Sequence, residues 1–489
     1  MKRRYAIATF AALVATAGYG VSQTNSISAS DKATGAKANP QLLAEYGGTY
    51  AGPQAAYVTR VGRRIAVQSG LSNSQADFTI ALLNSPVNNA FAIPGGYVYV
   101  TRQLTGLMND EAELASVLGH EVGHVAARHS QKRESKSRRN SILGTLGQVL
   151  VGAVAGDSGI GQLLSRGVGT GAQLLTLRYS RSQEIEADDL GIRYLAGAGY
   201  DPYAASTMLA SLQAQTNLDA QTQGGTARGV PAWASTHPDP GARVDNARKV
   251  AERIGGREEA AAGPRGRDAF LAAIDGILYG DDPAQGVVEG TRFVHPALRI
   301  AFTAPQGFAL SNGTQAVTVS GTGGQAQFAG GAIGPGGLPA YIDGVLRGVG
   351  SQAGAPRDAI RATTINGFAT NVFTTTAQTQ SGSADVTVVA YQASPTTAYH
   401  FVTITPAGQG LGPFGGMVQS MARLTATQAA AVKARRIRVV TVGAGDTIDT
   451  LARRMAYADR QRERFLVLNA LEAGDSLTPG SRVKLVVYG

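Results

Sequence analysis

The sequence predicts an α+β protein in three folded parts, and three observations carry that prediction. At 489 residues the chain exceeds the roughly 250–300 residues over which a single core grows. Its first half shows helical spacing broken by two short runs rich in Val, Ile, Phe and Tyr, whereas its second half is dominated by alternating, half-buried strands. The composition is 43% hydrophobic and only 16% charged, the reverse of the balance that keeps a chain disordered.

The first 22 residues read as a secretory signal peptide. Lys2, Arg3 and Arg4 precede a short apolar run, with cleavage after Ala15-Thr16-Ala17 or a few residues later. The run is shorter than the about 20 residues a membrane span needs. Cysteine is absent, which excludes a lipid-modified N-terminal Cys, a disulfide framework and thiolate ligands. The location expected is the periplasm. A net charge of +10 admits an anionic partner such as lipopolysaccharide or cell wall, hence peripheral association with the outer membrane. The basic residues of "SQKRESKSRR" and "KARRIR" are too scattered for a nucleic-acid groove, so no nucleic-acid partner is expected.

A polar linker is expected over 23–39, followed by a first folded part over 40–254. It opens with helical spacing to about residue 70. The strands "DFTIALLNS" and "AFAIPGGYVYVTRQL" follow, the second turning at Pro94-Gly95-Gly96. One helix runs from Glu111 to about His129. Residues 134–178 are apolar but full of glycine, which weakens each helical turn; a lid and loosely packed core helices both fit. Helices resume at "SRSQEIEADDLGIRYLAGAG" and at "DPYAASTMLASLQAQ", where Asp201-Pro202 supplies the cap and first turn. A linker is expected over 255–267. An α+β accessory domain without assigned function follows over 268–430, with short helical patterns near 339–350 and 414–424, and a last module spans 437–488.

The chemistry concentrates in "LGHEVGHVAARH", which holds three of the chain's six histidines. On a helix, His120 and His124 lie four apart on one face. His-Glu-x-x-His so placed is a zinc-binding pattern, with Glu121 as general base. A catalytic zinc site needs a third protein ligand. In "SQEIEADDLG", Glu184 and Asp188 share a helical face while Glu186 points elsewhere. Glu184 is therefore the expected third ligand, and Asp188 the carboxylate that receives the free N–H of a ligand histidine. His129 lies off the ligand face and is expected to be structural.

These motifs, with "EYG" (45–47), "NAFAIPGGYVYV" (89–100), "AGYDP" (198–202) and "THPDPGAR" (236–243), give the chain over about 40–260 a close resemblance to the minigluzincin zinc metallopeptidases. That family spans HtpX, CAAX prenyl endopeptidase and periplasmic BepA-type enzymes. The resemblance implies a mainly helical, zincin-type metalloprotease domain with a small sheet and one Zn2+ per chain. It agrees with Glu184 as third ligand. Glu121 would take a proton from water and return it to the leaving amine. The resemblance puts His237 at the cleft, either stabilising the transition state or filling the metal's fourth position at rest. Arg243 is a further catalytic candidate, unless it merely pairs with Asp239 or Asp245. Asn89, Ala90, Phe91 and Ala92 would form an edge strand whose backbone pairs with extended substrate, which suits unfolded polypeptides.

Over 437–488, "GDTIDTLARR", "FLVLNAL" and "LTPGSRVKLV" resemble a LysM domain of βααβ layout. The resemblance implies peptidoglycan as a partner. Two function classes follow: an exported zinc endopeptidase acting on unfolded or misassembled envelope proteins, and a wall-tethered chaperone or assembly factor whose protease site is normally latched.

Overall fold

The computed structural model describes residues 26–71, 77–132, 179–222, 233, 236–237, 240–255, 263–349, 351, 354–379 and 382–489. The expected signal peptide and the glycine-rich 134–178 stretch lie outside the described residues.

Helix α1 (Ala29–Glu45) replaces most of the expected linker. Ser28 caps it, accepting from the Asp31 backbone N–H, and its Ala38, Leu42 and Leu43 pack on Tyr46, Phe91, Ile93 and Tyr99. A polar-looking segment becomes helical because one side of it covers a sheet. Helix α2 (Pro53–Ala66) follows, then β1 (Thr79–Leu83), β2 (Ala90–Ile93) and β3 (Tyr97–Thr101). The sheet order is β1-β3-β2, with β1 parallel and β2 antiparallel to β3. Strand β2 is thus an edge strand, as the family resemblance implied. The β2–β3 turn needs glycine: Gly95 and Gly96 have φ of 92° and 81°, the left-handed region that side chains disfavour.

Helix α3 (Arg102–Leu107) leads to α4 (Glu111–Ala126), the histidine helix, capped by the Asp110 side chain. Helix α5 (Arg181–Gly197) starts in a capping box of Ser180 and Gln183. Helices α6 (Ala204–Thr222) and α7 (Pro240–Gly255) complete the helical layer. Helices α4 and α5 cross in near-backbone contact, because Gly119 and Gly123 of one face Gly191 and Ala187 of the other.

Helix α8 (Arg267–Ile274) was expected to open the accessory domain. Instead Phe270, Leu271 and Ile274 complete the first core, which also takes in Ile437, Leu451, Phe465 and Leu485. The last module is βααβ, as expected: β4 (Arg435–Thr441) and β5 (Arg482–Tyr488) pair antiparallel around two short helices, Ile448–Ala452 and Gln461–Leu468. It shares one continuous core with the first unit and is not a free appendage. The expected 255–267 linker is pinned at its end, where Arg265 pairs with Asp110, Glu113 and Asp201.

The accessory unit is built on a seven-stranded antiparallel sheet within residues 309–406. Its two faces bury separate cores. One lies under the helix Gly337–Gly348, through Ile342, Leu346, Val388 and Val402. The other lies against a four-stranded sheet, through Phe293, Phe302, Phe328 and Phe401.

The α4–α5 crossing yields a stability prediction. A Cβ at Gly191 would sit 2.9 Å from the His120 backbone nitrogen, where only a backbone shift relieves it. Gly191→Ala should cost about 1–3 kcal/mol, the usual penalty for overpacking, and weaken metal retention as His120 moves. Urea unfolding followed by far-UV dichroism, with zinc content measured beside it, tests both; an unchanged transition would show that the helices separate freely.

Candidate metal centre

Two turns of α4 set the first pair of donors. The Nε2 atoms of His120 and His124 lie 3.0 Å apart, on the face the i, i+4 spacing predicts. The first turn of α5 adds Glu184, whose carboxylate oxygens lie 3.5 Å from each of those nitrogens. His237, just before α7, closes the group: its Nδ1 is 3.3 Å from His120 Nε2 and 3.1 Å from Glu184 Oε2. One ligand atom from each of the four residues falls within 4.8 Å of all the others. All four side chains are buried.

Each α4 histidine is held from behind. His120 Nδ1 lies 2.8 Å from Asp188 Oδ1, so the N–H points outward and the Nε2 lone pair faces the group. Asp188 is gripped in turn by Arg243, whose Nε and Nη2 donate at 2.7 and 2.6 Å. The Nη1 of Arg243 lies 2.7 Å from Glu184 Oε2. Asp239 lies outside the described residues, and the guanidinium of Arg243 is committed to Asp188 and Glu184. This arrangement gives Arg243 a positioning contact to two carboxylates of the cluster.

His124 has a support that sequence reasoning missed. Its Nδ1 lies 2.8 Å from His129 Nδ1, and His129 Nε2 lies 3.1 Å from Glu186 Oε2. His129 is indeed off the ligand face, as expected, but the turn after α4 folds it back behind His124. Glu186, pointing away from Glu184, is what reaches it. The Tyr179 ring stacks on His124 at 3.8 Å and the Trp233 ring on His237 at 4.3 Å. No spacing rule marks these contacts; the signal available was that the chain's single Trp lies four residues before His237.

The electrostatics follow from burial and carboxylates. Burial alone would lower His120, but hydrogen bonds to Asp188 and Glu184 push it up to about 9. Burial, then the neighbouring His120 charge, drives His124 well below its usual value. For Glu184, burial is outweighed by His237 and His120, which hold its carboxyl far below the carboxylate range. Burial pushes Glu121 up.

Glu121 stands out for what it lacks. It is fully buried, yet neither carboxylate oxygen has a hydrogen-bond partner among the described residues; Oε1 lies 3.5 Å from His237 Nε2. Buried polar atoms are rarely left so. A carboxylate aimed into a cluster of three imidazoles and a second carboxylate fits a site that takes a divalent metal and a polar reactant. The donor set, nitrogen-rich with one oxygen ligand, matches zinc chemistry.

Comparison with known proteins agrees with this geometry. Residues 53–251 match the family model described as Peptidase family M48. The "Beta-barrel assembly-enhancing protease" of Escherichia coli O157:H7 is 30% identical over 201 residues, 40% of this chain and 39% of that protein. The "Mitochondrial metalloendopeptidase OMA1" of Schizosaccharomyces pombe is 34% identical over 215 residues, 43% of this chain and 57% of that protein. Its Arabidopsis thaliana namesake is 36% identical over 198 residues, 39% of this chain and 36% of that protein. The chain thus spans between about a third and three fifths of these relatives' lengths. Residues 53–251 are thus similar to Peptidase family M48, and the metal cluster lies within them.

Proposed function

We propose that the protein is an exported zinc-dependent endopeptidase that cleaves unfolded or misassembled polypeptides of the cell envelope. The observation that carries the reading is the convergence of His120, His124 and Glu184 on one point, with the carboxylate of Glu121, which makes no hydrogen bond among the described residues, beside it. His120, His124 and Glu184 would hold the zinc, with Asp188 and the His129–Glu186 pair fixing the two imidazoles from behind. When bound, zinc supplies a Lewis acid that makes hydroxide available near neutral pH and polarises a carbonyl.

The chain's own residues supply the rest. Glu121 takes the proton of the attacking water and passes it to the departing amine nitrogen; burial, which raises its carboxyl, suits a group that must hold that proton briefly. Arg243 keeps Asp188 and Glu184 oriented without touching substrate. The edge of β2 offers main-chain donors and acceptors to an extended polypeptide, a mode that demands little of its sequence. Cleavage of unfolded chains is the outcome that such binding favours. Export to the periplasm rests on the signal-like first 22 residues, and among the described residues no helix is long and apolar enough to cross a membrane.

His237 supports a second reading, in which the protease site is latched and the protein works mainly as an envelope assembly factor, tethered to peptidoglycan through 437–488. Its Nδ1 sits among the zinc-binding donors, and its Nε2 lies 3.4 Å from the Ala90 carbonyl oxygen on the β2 edge. One ring thus occupies both the metal's fourth side and a carbonyl that paired substrate would use.

The peptidase reading expects Glu121→Gln to retain zinc while casein cleavage falls by about 10²–10⁴-fold, the contribution of a general base. Equal rates in wild type and variant would end it. Glu184→Gln should lose zinc to a competing chelator far more readily than Glu186→Gln. The latter removes only a remote support, a role whose loss costs about 10–100-fold in affinity. A larger loss from Glu186→Gln would reassign the third ligand.

For the latch, basal casein cleavage should rise in His237→Ala, since removing the ring frees the fourth position and the Ala90 carbonyl. A fall in rate with zinc retained would instead make His237 part of catalysis.

A further inference from the structure

The N-terminal segment before α1 reaches the cleft, although it lies outside the residues matched to the peptidase family. Ile27 packs directly on the β2–β3 turn: a Cβ on Gly96 would lie 2.7 Å from Ile27 Cδ1, and one on Gly95 would lie 2.8 Å from the Asp31 carbonyl oxygen. Two side-chain ties hold the segment there. Gln131, beyond the end of α4, donates to Asp31 Oδ2 at 2.6 Å, and Lys32 pairs with Asp77 at 2.8 Å.

The segment, the turn and the end of α4 enclose a cavity of about 40 Å3 that opens beside the metal cluster. Ile27, Leu71, Ala92, Ile93 and Val125 form its apolar side, which continues the β2 edge, and His124 and Tyr179 stand at its metal side. Three serines, Arg128, Asp31 and Gln131 also line it, the last two bonded to each other. One water needs about 10–15 Å3 of such space, so the cavity takes three or four heavy atoms: a valine or leucine side chain, not an indole.

We infer that this cavity selects an aliphatic side chain of the polypeptide substrate close to the scissile bond, and that Ile27 sets its size. The inference rests on the peptidase reading and extends it to cleavage-site preference. A chain paired on β2 with its reacting carbonyl near Ala90 passes Ala92 and Ile93 about 7–10 Å further on, at about 3.3 Å per residue. The selected side chain therefore lies within three residues of the bond that breaks. Backbone pairing supplies affinity without sequence demand, and the cavity adds a filter of this chain's own.

Cleavage sites in reduced, denatured casein, mapped by mass spectrometry for full-length wild type, Ile27→Ala and Ile27→Phe, test this. Wild type should favour Val and Leu at one position within three residues of the cut. Ile27→Ala should admit Phe and Met there, and Ile27→Phe should shift the preference to Ala and Gly. A flat wild-type distribution, or one that neither substitution changes in variants of wild-type zinc content, would overturn the inference while leaving the peptidase intact. If wild type cuts nothing, the peptidase reading fails, and binding decides the cavity separately. Fluorescein-labelled peptides differing by one Leu-to-Trp exchange are then titrated onto Glu121→Gln. The Leu peptide should bind about tenfold or more tightly, the range for misfit in an apolar pocket; equal Kd values would overturn it.

Discussion

Everything at the metal cluster depends on how closely α4 and α5 approach. Glu184 reaches both histidines only because the two helix backbones nearly touch at Gly119, Gly123 and Gly191. Helices in contact through ordinary side chains stand about 8–10 Å apart; here the glycines remove the spacer. Gly191 lies seven residues after Glu184 and Gly119 adjoins His120, so the contact is built into the same two motifs that carry the chemistry. Helical glycine costs roughly 1 kcal/mol against alanine, a cost the packing must offset. The crossing explains why the site is precise enough to align donors from elements distant in sequence.

That closeness concentrates charge in a place with little water. Glu184, Asp188, Glu121 and Arg243 are all buried beside His120 and His124. Buried charges persist only when paired, and losing one partner typically costs about 3–5 kcal/mol. Arg243 answers two carboxylates at once, so its single guanidinium neutralises both. Glu121 is the exception, with no hydrogen-bond partner for either oxygen among the described residues. The arrangement separates two kinds of carboxylate: Glu184 and Asp188 are held by Arg243, whereas Glu121, the proposed proton acceptor, makes no hydrogen bond among the described residues.

The sequence was most legible where function and local periodicity coincide. His120 with His124, and Glu184 with Asp188, are i, i+4 pairs, so their shared faces follow from helix geometry alone. The edge position of β2 was legible only through family resemblance, since one strand's pattern does not reveal its neighbours. The contact of His129 with His124 was not legible from spacing, because the turn after α4, not the helix, decides where His129 points. The linker over 23–39 was misread for a similar reason: α1 owes its order to the sheet beneath it, a contact between residues some fifty positions apart. The shared core of 267–279 and the last module spans nearly the whole chain, and no local pattern reports such a distance.

Those long-range contacts bear on the site rather than merely on shape. Lys484, wholly buried on β5, donates to the carbonyl oxygens of Gly106, Leu107 and Met108 at 2.9, 3.0 and 2.5 Å. A cation on the last carbonyls of a helix meets the negative end of its dipole, and α3 ends only three residues before α4 begins. Burial drives the Lys484 ammonium well below its usual range, with Glu113 and Asp110 opposing. From the other end of the chain, α1 covers the sheet while Gln131 ties its first turn to the segment after α4. The histidine helix is thus braced at its start by the C-terminal module and beyond its end by the N-terminal segment, both outside the matched family domain. Regions that carry no catalytic motif thereby set how firmly the motif is held, which is why the domain over 53–251 cannot be understood as a unit that the remainder of the chain simply accompanies.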